Sequence, residues 1–268
     1  MVEVFCQGEK ARVLSVVIPT FEEDELNSCL DELVAYLVSL PEEHLEILLV
    51  DDSGERWKRS ILDYAEKNQN KHGDRLVIRL IHGRRRGKGD AIRLGALAAR
   101  GEIVFTMDAD LPVPLKHIEE FVAIIDEQGA DAVIGERPLT RNLREPLRYL
   151  LSRILYVVQM AWVFGSNRYY DTQCGFKAFR GNLIRELAAR QMVSGGMYDI
   201  EYLYMAMLWK ASVARVPVVP NAERRASKIR VVMASITDPV DLLRVKLGGL
   251  LGRYDASGPS AQPFVGLR

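Results

Sequence analysis

Three cysteines in 268 residues, Cys6, Cys29 and Cys174, are too few and too scattered for a disulfide framework or a zinc site. No C-x-x-C pair occurs, so the thiols read as reduced side chains in a reducing compartment. No apolar run approaches the ~18 residues of a membrane-spanning helix. The N-terminus also lacks the apolar core of a signal peptide. Net charge is absent: 36 Lys+Arg balance 36 Asp+Glu, which removes the basic excess of a general nucleic-acid binder. The expectation is a cytoplasmic protein, soluble or peripheral on the cytoplasmic face of a membrane. A hydrophobic content of 48% with three tryptophans supports a sizeable core. The length suits one α/β domain, here 1–254, followed by a tail over 255–268 whose Pro, Gly and Ser predict disorder.

Hydrophobic periodicity alternates between strand and helix through the first half. Strands are expected at 13–18, 45–50, 76–81, 102–107 and 131–135, and helices at 25–38, 57–67, 90–100 and 114–127. Strict alternation of this kind predicts a mainly parallel central sheet flanked by helices, with ligands beyond the carboxyl ends of the strands. The second half is less regular. One long helix or two short ones over 143–164 are followed by a strand at 175–180, helices at 183–190 and 200–210, a strand at 213–219 and a helix at 238–251. Pro217 marks the 213–219 strand as an edge.

The polar signals collect where strands end. Asp108-Ala109-Asp110 directly follows the 102–107 run. It is either a solvated acidic loop or a pair of carboxylates held together by a hard divalent cation with oxygen ligands. Asp51-Asp52 reads as a turn or as an acceptor for a nucleobase or ribose. Arg84-Arg85-Arg86-Gly87-Lys88-Gly89-Asp90 is either a solvated basic loop or a phosphate-binding helix start, and its spacing is not that of a Walker A loop. Basic residues cluster again over 141–153 and 224–230. The apolar face of Leu147, Leu151, Leu155, Val158 and Trp162 suits either core packing or an in-plane membrane contact. Cys174 reads as a small buried hydrophobe.

Taken in order, Pro19-Thr20-Phe21-Glu22-Glu23, Val50-Asp51-Asp52-Ser53-Gly54, Arg86-Gly87-Lys88-Gly89 and Asp108-Ala109-Asp110 resemble the inverting family 2 glycosyltransferases of GT-A fold. Asp171-Thr172-Gln173-Cys174-Gly175-Phe176-Lys177, Tyr198-Asp199-Ile200-Glu201 and Ser227-Lys228-Ile229 narrow the resemblance to dolichyl-phosphate β-glucosyltransferases and, more distantly, polyprenyl-phosphate mannose synthases. It covers roughly residues 12–254, with a nucleotide-sugar half at 12–135 and an acceptor half at 136–254.

The resemblance implies a metal-dependent transfer of a hexose, glucose by preference, from a UDP-sugar to a polyprenyl phosphate. A soluble hydroxyl or phosphate acceptor is the alternative, and nucleotidyl transfer a further one. Pro19, Thr20, Glu23, Asp52, Lys88, Asp108 and Lys228 would bind the donor. Asp110, with Asp108, would hold Mg²⁺ or Mn²⁺. Arg137, Arg148 and Ser152 would hold the acceptor phosphate, and the catalytic carboxylates would come from Asp171, Asp199 and Glu201. Asp199 can also serve simply as a cap for the helix that follows. The chain departs from the family pattern at Phe21, Glu22, Ser53-Gly54 and Asp90. Pro112, standing where mannose synthases carry Gln, favours the glucosyl relatives.

Overall fold

A computed structural model describes residues 12–42, 44–138, 157, 159–165, 169, 171–221 and 231–255. Its centre is a seven-stranded sheet in the order β3-β2-β1-β4-β6-β5-β7. The strands are β1 (Val13–Thr20), β2 (His44–Asp51), β3 (Leu76–His82), β4 (Ile103–Thr106), β5 (Ala132–Glu136), β6 (Lys177–Arg180) and β7 (Val213–Pro217). β3, β2, β1 and β4 form a parallel block, and β5 pairs in parallel with β7. Between β4 and β5 lies β6, antiparallel to both. The strand ending in Pro217 is the sheet's edge, where the missing N–H of proline costs no ladder bond.

The helices cover both faces. Successive β-strand residues point to opposite sides, so Val16 joins one core and Val17 the other. On one side lie α1 (Leu26–Leu37), α2 (Glu55–His72) and α4 (His117–Glu127). Helix α1 buries Leu26, Leu30, Leu33, Val34 and Leu37, one stripe at helical spacing. In the same core the rings of Phe105, Phe121 and Phe176 meet at centroid distances of 4.9–6.2 Å, joining β4 and α4 to the chain just before β6. The other side holds α3 (Lys88–Ala98), α5 (Gly181–Arg190), α6 (Tyr198–Leu208) and α7 (Val231–Leu250).

Of the segment expected to be helical over 143–164, the described part is Val157 and a π-helical turn, Gln159–Phe164. The expected binding positions Arg148, Ser152 and Lys228 and most of the tail lie outside the described residues. Helix α7 starts earlier than the periodicity places it, and Pro239 sits inside it instead of in its first turn. Among the described residues no helix is long and apolar enough to cross a membrane.

At the amino edge of the sheet a buried carboxylate ties several elements together. Glu46 of β2 accepts from Ser15 Oγ at 2.6 Å, from Arg79 Nη1 at 2.6 Å and from the Arg100 backbone N–H at 2.9 Å. Glu46 is 4% exposed, and these donors satisfy a carboxylate that water does not reach. Glu46→Ala should lower unfolding stability by about 3 kcal/mol in urea titration. A loss below ~0.5 kcal/mol would show that the cluster contributes nothing to the fold.

Candidate active site

The carboxyl edge of the parallel block is built from turns with unusual backbones. Among the described residues four non-glycine residues have positive φ, and three of them follow a strand at this edge: Glu22 (49°) after β1, Arg85 (53°) after β3 and Leu111 (43°) after β4. A left-handed conformation in a bulky residue such as Leu111 is disfavoured and persists where surrounding structure imposes it. Leu111 N–H donates to the Asp108 carbonyl at 3.1 Å, closing a turn over Asp108-Ala109-Asp110. Ala109 is buried in the core, so the two carboxylates flank it: Asp108 half-buried, Asp110 exposed.

Asp108 has a fitted seat. Lys88 Nζ, at the first residue of α3, lies 2.5 Å from Asp108 Oδ1. A Cβ on Gly175 would come within 2.5 Å of Asp108 Oδ2, so only glycine fits beside this carboxylate. Burial works against the charge of Asp108, yet Lys88, followed by Lys177 and Arg137, holds its pKa below the ordinary value. Burial likewise opposes the charge of Lys88, and Asp108 with Asp199 outweighs it, raising the ammonium's pKa. Asp110 behaves oppositely. Partial desolvation by the surrounding turn first, then repulsion from Asp108 and Glu23, raises its pKa even though the residue is exposed at its rim. It forms no ion pair among the described residues.

The Asp51-Asp52 pair divides its work. Asp51 is 1% exposed and accepts from Thr20 Oγ1 at 2.9 Å and Ser53 Oγ at 2.7 Å, a local turn role. Asp52, half-buried at the rim, accepts from the Arg85 backbone N–H at 2.7 Å. A Cβ on Gly83 would fall 2.0 Å from Asp52 Oδ1. Pro19 and Glu23 are half-buried at the same edge. The start of α3 is partly occupied: Asp90 N–H donates to the Ser194 carbonyl at 3.1 Å, and Arg84 grips the Asp90 carboxylate at 2.7 and 3.0 Å. These bonds narrow the room for a phosphate at that helix end and leave Lys88 as the group directed at the site.

The second half of the chain supplies two more ion pairs. Arg137, just after β5, takes Asp171 in a two-pronged contact of 2.5 and 3.1 Å, and Gln173 N–H adds a bond at 3.0 Å. Burial disfavours the Asp171 charge, but Arg137 prevails and lowers its pKa. Lys177 on β6 donates to Asp199 Oδ1 at 2.5 Å and also to the Cys174 carbonyl. Burial pushes the Asp199 pKa upward against the pull of Lys177 and Lys88. Glu201, two residues on and therefore turned roughly 200° around α6, faces elsewhere. It accepts from Met192 N–H at 2.7 Å, Val193 N–H at 2.9 Å and Tyr254 OH at 2.7 Å. Sequence reasoning gave no role to Lys177, Gly175 or Gly83. The first two lie within the Asp171–Lys177 motif, whereas nothing marked Gly83.

Lys88, Arg137 and Lys177 thus balance Asp108, Asp171 and Asp199, and Asp110 is left as an additional negative charge. Among the described residues no three His, Cys, Asp or Glu side chains gather into a metal cage. An exposed carboxylate repelled by its neighbour suits a cation shared with an anionic ligand, because such an ion needs few protein donors.

The family model for Glycosyl transferase family 2 matches residues 15–188. Among curated proteins, the dolichyl-phosphate beta-glucosyltransferase of Mus musculus is 30% identical over 259 residues, covering 90% of this chain and 77% of that one. The protein of the same name from Dictyostelium discoideum is 29% identical over 255 residues, covering 89% and 75%. Among solved structures, mannosyl-3-phosphoglycerate synthase from Rubrobacter xylanophilus superposes with a TM-score of 0.59 at 19% identity over 90% of this chain and 75% of that one. Glucosyl-3-phosphoglycerate synthase from Mycobacterium tuberculosis, in complex with Mn²⁺, UDP-glucose and phosphoglyceric acid, gives 0.57 at 20% identity over 91% and 80%. The mainly parallel sheet flanked by helices is the GT-A fold.

The two carboxylates of the Asp108–Asp110 turn carry opposite electrostatic costs. A raised folded-state pKa means that ionised Asp110 costs stability at neutral pH, a cost relieved in acid. A lowered one means that Asp108 contributes stability at neutral pH that is lost as pH falls through its folded value. At neutral pH, Asp110→Asn should therefore melt above the parent protein and Asp108→Asn below it in scanning calorimetry. Shifts of one sign for both variants would contradict this division.

Proposed function

Because the chain belongs to glycosyl transferase family 2, we propose that it moves a hexose, glucose by preference, from a UDP-sugar to a polyprenyl phosphate with inversion at the anomeric carbon. The observation that carries this reading is the neutral array of three ion pairs bordered by the additional Asp110 carboxylate at the carboxyl edge of the sheet. The glucosyl preference and the lipid phosphate follow the dolichyl-phosphate beta-glucosyltransferases, at 29–30% identity.

Thr20, Pro19 and Glu23 wall the nucleotide pocket, and Asp52 accepts a hydrogen bond from the base. Asp110, with Asp108 beside it, would hold Mg²⁺ or Mn²⁺, which would supply positive charge to the diphosphate leaving group. Lys88 brings a second positive charge to the same leaving group, and Lys228 supplies another. Arg137, with Arg148 and Ser152, receives the acceptor phosphate. An oxygen of that phosphate attacks the anomeric carbon as the bond to the diphosphate breaks, so UDP departs and a glycosyl phosphodiester forms. A phosphate monoester is largely ionised at neutral pH and requires positioning more than deprotonation. That suits a site whose Asp171 and Asp199 are each already paired with a cation. Asp199 then serves as a fixed negative charge near the sugar as positive charge builds at the anomeric carbon.

A second reading, transfer to a soluble phosphate-bearing acceptor, draws on the fold shared with the 3-phosphoglycerate synthases. Both readings are separated from nucleotidyl transfer by the product released, UDP as opposed to pyrophosphate.

The test is incubation with UDP-glucose, Mn²⁺ and either a polyprenyl phosphate or 3-phosphoglycerate, with chromatography of nucleotides and glycosides. Lipid-linked glucose and stoichiometric UDP are expected. Pyrophosphate released in a parallel incubation with UTP and glucose 1-phosphate, with no UDP released from UDP-glucose, would reject glycosyl transfer, and glucose on phosphoglycerate alone would select the second reading. Asp110→Asn should slow turnover at least ~100-fold. Arg137→Ala and Arg148→Ala should raise the acceptor KM about tenfold while the donor KM stays within about twofold. Equal changes in both constants would remove these arginines from the acceptor site.

A further inference from the structure

Lys177 has no part in the chemistry above, yet it is one of the most deeply buried charges in the chain. It is 1% exposed and lies on β6, opposite Thr106 of β4 and Ile134 of β5. Its ammonium reaches two acceptors on different elements, Asp199 Oδ1 on α6 at 2.5 Å and the Cys174 carbonyl. The residue after Cys174 is Gly175, whose missing Cβ makes room for the Asp108 carboxylate and whose carbonyl accepts from Thr106 Oγ1 at 3.0 Å. One nitrogen thus sets both the backbone under Asp108 and the carboxylate in the first turn of α6.

Stability alone does not account for such a group. A buried ion pair exchanged for apolar side chains of similar volume is commonly as stable or more so, because the desolvation of two charges is avoided. An ammonium kept in the interior of the sheet calls for another reason. We propose that Lys177 is a positioning residue for the transfer step: it fixes Asp199 as an anion at the floor of the site and ties it to the turn that seats Asp108.

The groups facing Asp199 are Lys177 from β6, Lys88 from α3, Asp108 from the turn after β4, and Tyr198 and Tyr202 on its own helix. Burial and Asp108 drive Asp199 toward its neutral form, and the two ammoniums oppose them. Removing Lys177 leaves Lys88, already paired with Asp108, as the counter-charge. Asp199 then takes up a proton at a higher pH than in the parent, and the reaction loses its anion at pH values where the parent keeps it.

The inference rests on the reading of this chain as a nucleotide-sugar transferase with Asp199 near the sugar. The experiment is the pH profile of kcat and KM, followed by UDP release, for the parent protein, Lys177→Met, Lys177→Gln and Lys177→Arg. Gln is neutral but keeps two N–H donors for Asp199 and Cys174, so it answers the question where Met fails to fold. At neutral pH the neutral variants should lose ~30-fold or more in kcat with donor KM within about threefold. Their acid limb should move upward by about one pH unit or more, so that activity recovers in alkaline buffer. Lys177→Arg should keep the parent's acid limb. A loss that is uniform across pH in the neutral variants, or an acid limb raised equally by Arg, would reduce Lys177 to a structural residue and overturn the inference. An active parent with those results would leave the functional reading intact, whereas a parent that releases no UDP from any UDP-sugar would end both.

Discussion

The arrangement depends on one topological fact: β6 runs against its neighbours. In a parallel sheet only the ends of strands reach the carboxyl edge, and the residues preceding a strand arrive at the opposite side. Because β6 is antiparallel to β4 and β5, its beginning lies beside the end of β4. Residues 171–177 therefore enter the edge where Asp108 leaves it. Gly175 can lie against Asp108, Asp171 can meet Arg137 from the end of β5, and Lys177 can reach Asp199. A parallel strand in this position would carry the same motif to the far side of the sheet and separate the three ion pairs.

The charges of the site sustain one another. Lys88–Asp108, Arg137–Asp171 and Lys177–Asp199 each remove a desolvation cost that either partner would bear alone. Their fields also overlap, since Lys177 and Arg137 help hold Asp108 ionised and Asp108 helps hold Lys88 charged. The strained turns at Glu22, Arg85 and Leu111 belong to the same economy of placement. Each bends the chain as it leaves a strand, setting polar groups at the edge instead of letting the backbone run on into solvent.

Much of the first half was legible because its signals are local. The β-branched runs, the helical stripe of α1 and the carboxylates after β4 each depend on a few consecutive residues, and the edge position of β7 follows from one proline. What the sequence did not disclose depends on contacts distant along the chain. The direction of β6 is set by packing against β4, so its four residues look like any short strand. Asp51 and Asp52 are indistinguishable in sequence, and only Thr20, 31 residues earlier, identifies Asp51 as the one serving the turn. Glu201 sits beside Asp199 in the motif, yet helical rotation directs it to Tyr254, 53 residues later. Helix α7 runs through Pro239, where a local rule would start it.

The pairing of carboxylates also bears on what kind of acceptor the site is built for. A hydroxyl nucleophile requires a base that can take its proton, placed near the acceptor and not already committed. Asp171 is a weak base here, because Arg137 holds its pKa down, and both its oxygens accept hydrogen bonds. Asp199 has a raised pKa but is 3% exposed and bonded to Lys177. Glu201 is saturated by two backbone N–H groups and a tyrosine on another face of its helix. The three acids that sequence reasoning offers as bases are thus engaged in holding structure or neighbouring charge. A nucleophile that arrives ionised needs none of them as a base, and Arg137 is the kind of planar cation that receives a phosphate. On the proposed reading, acceptor chemistry and site electrostatics constrain each other: a phosphate acceptor suits the way this sheet pairs its charges.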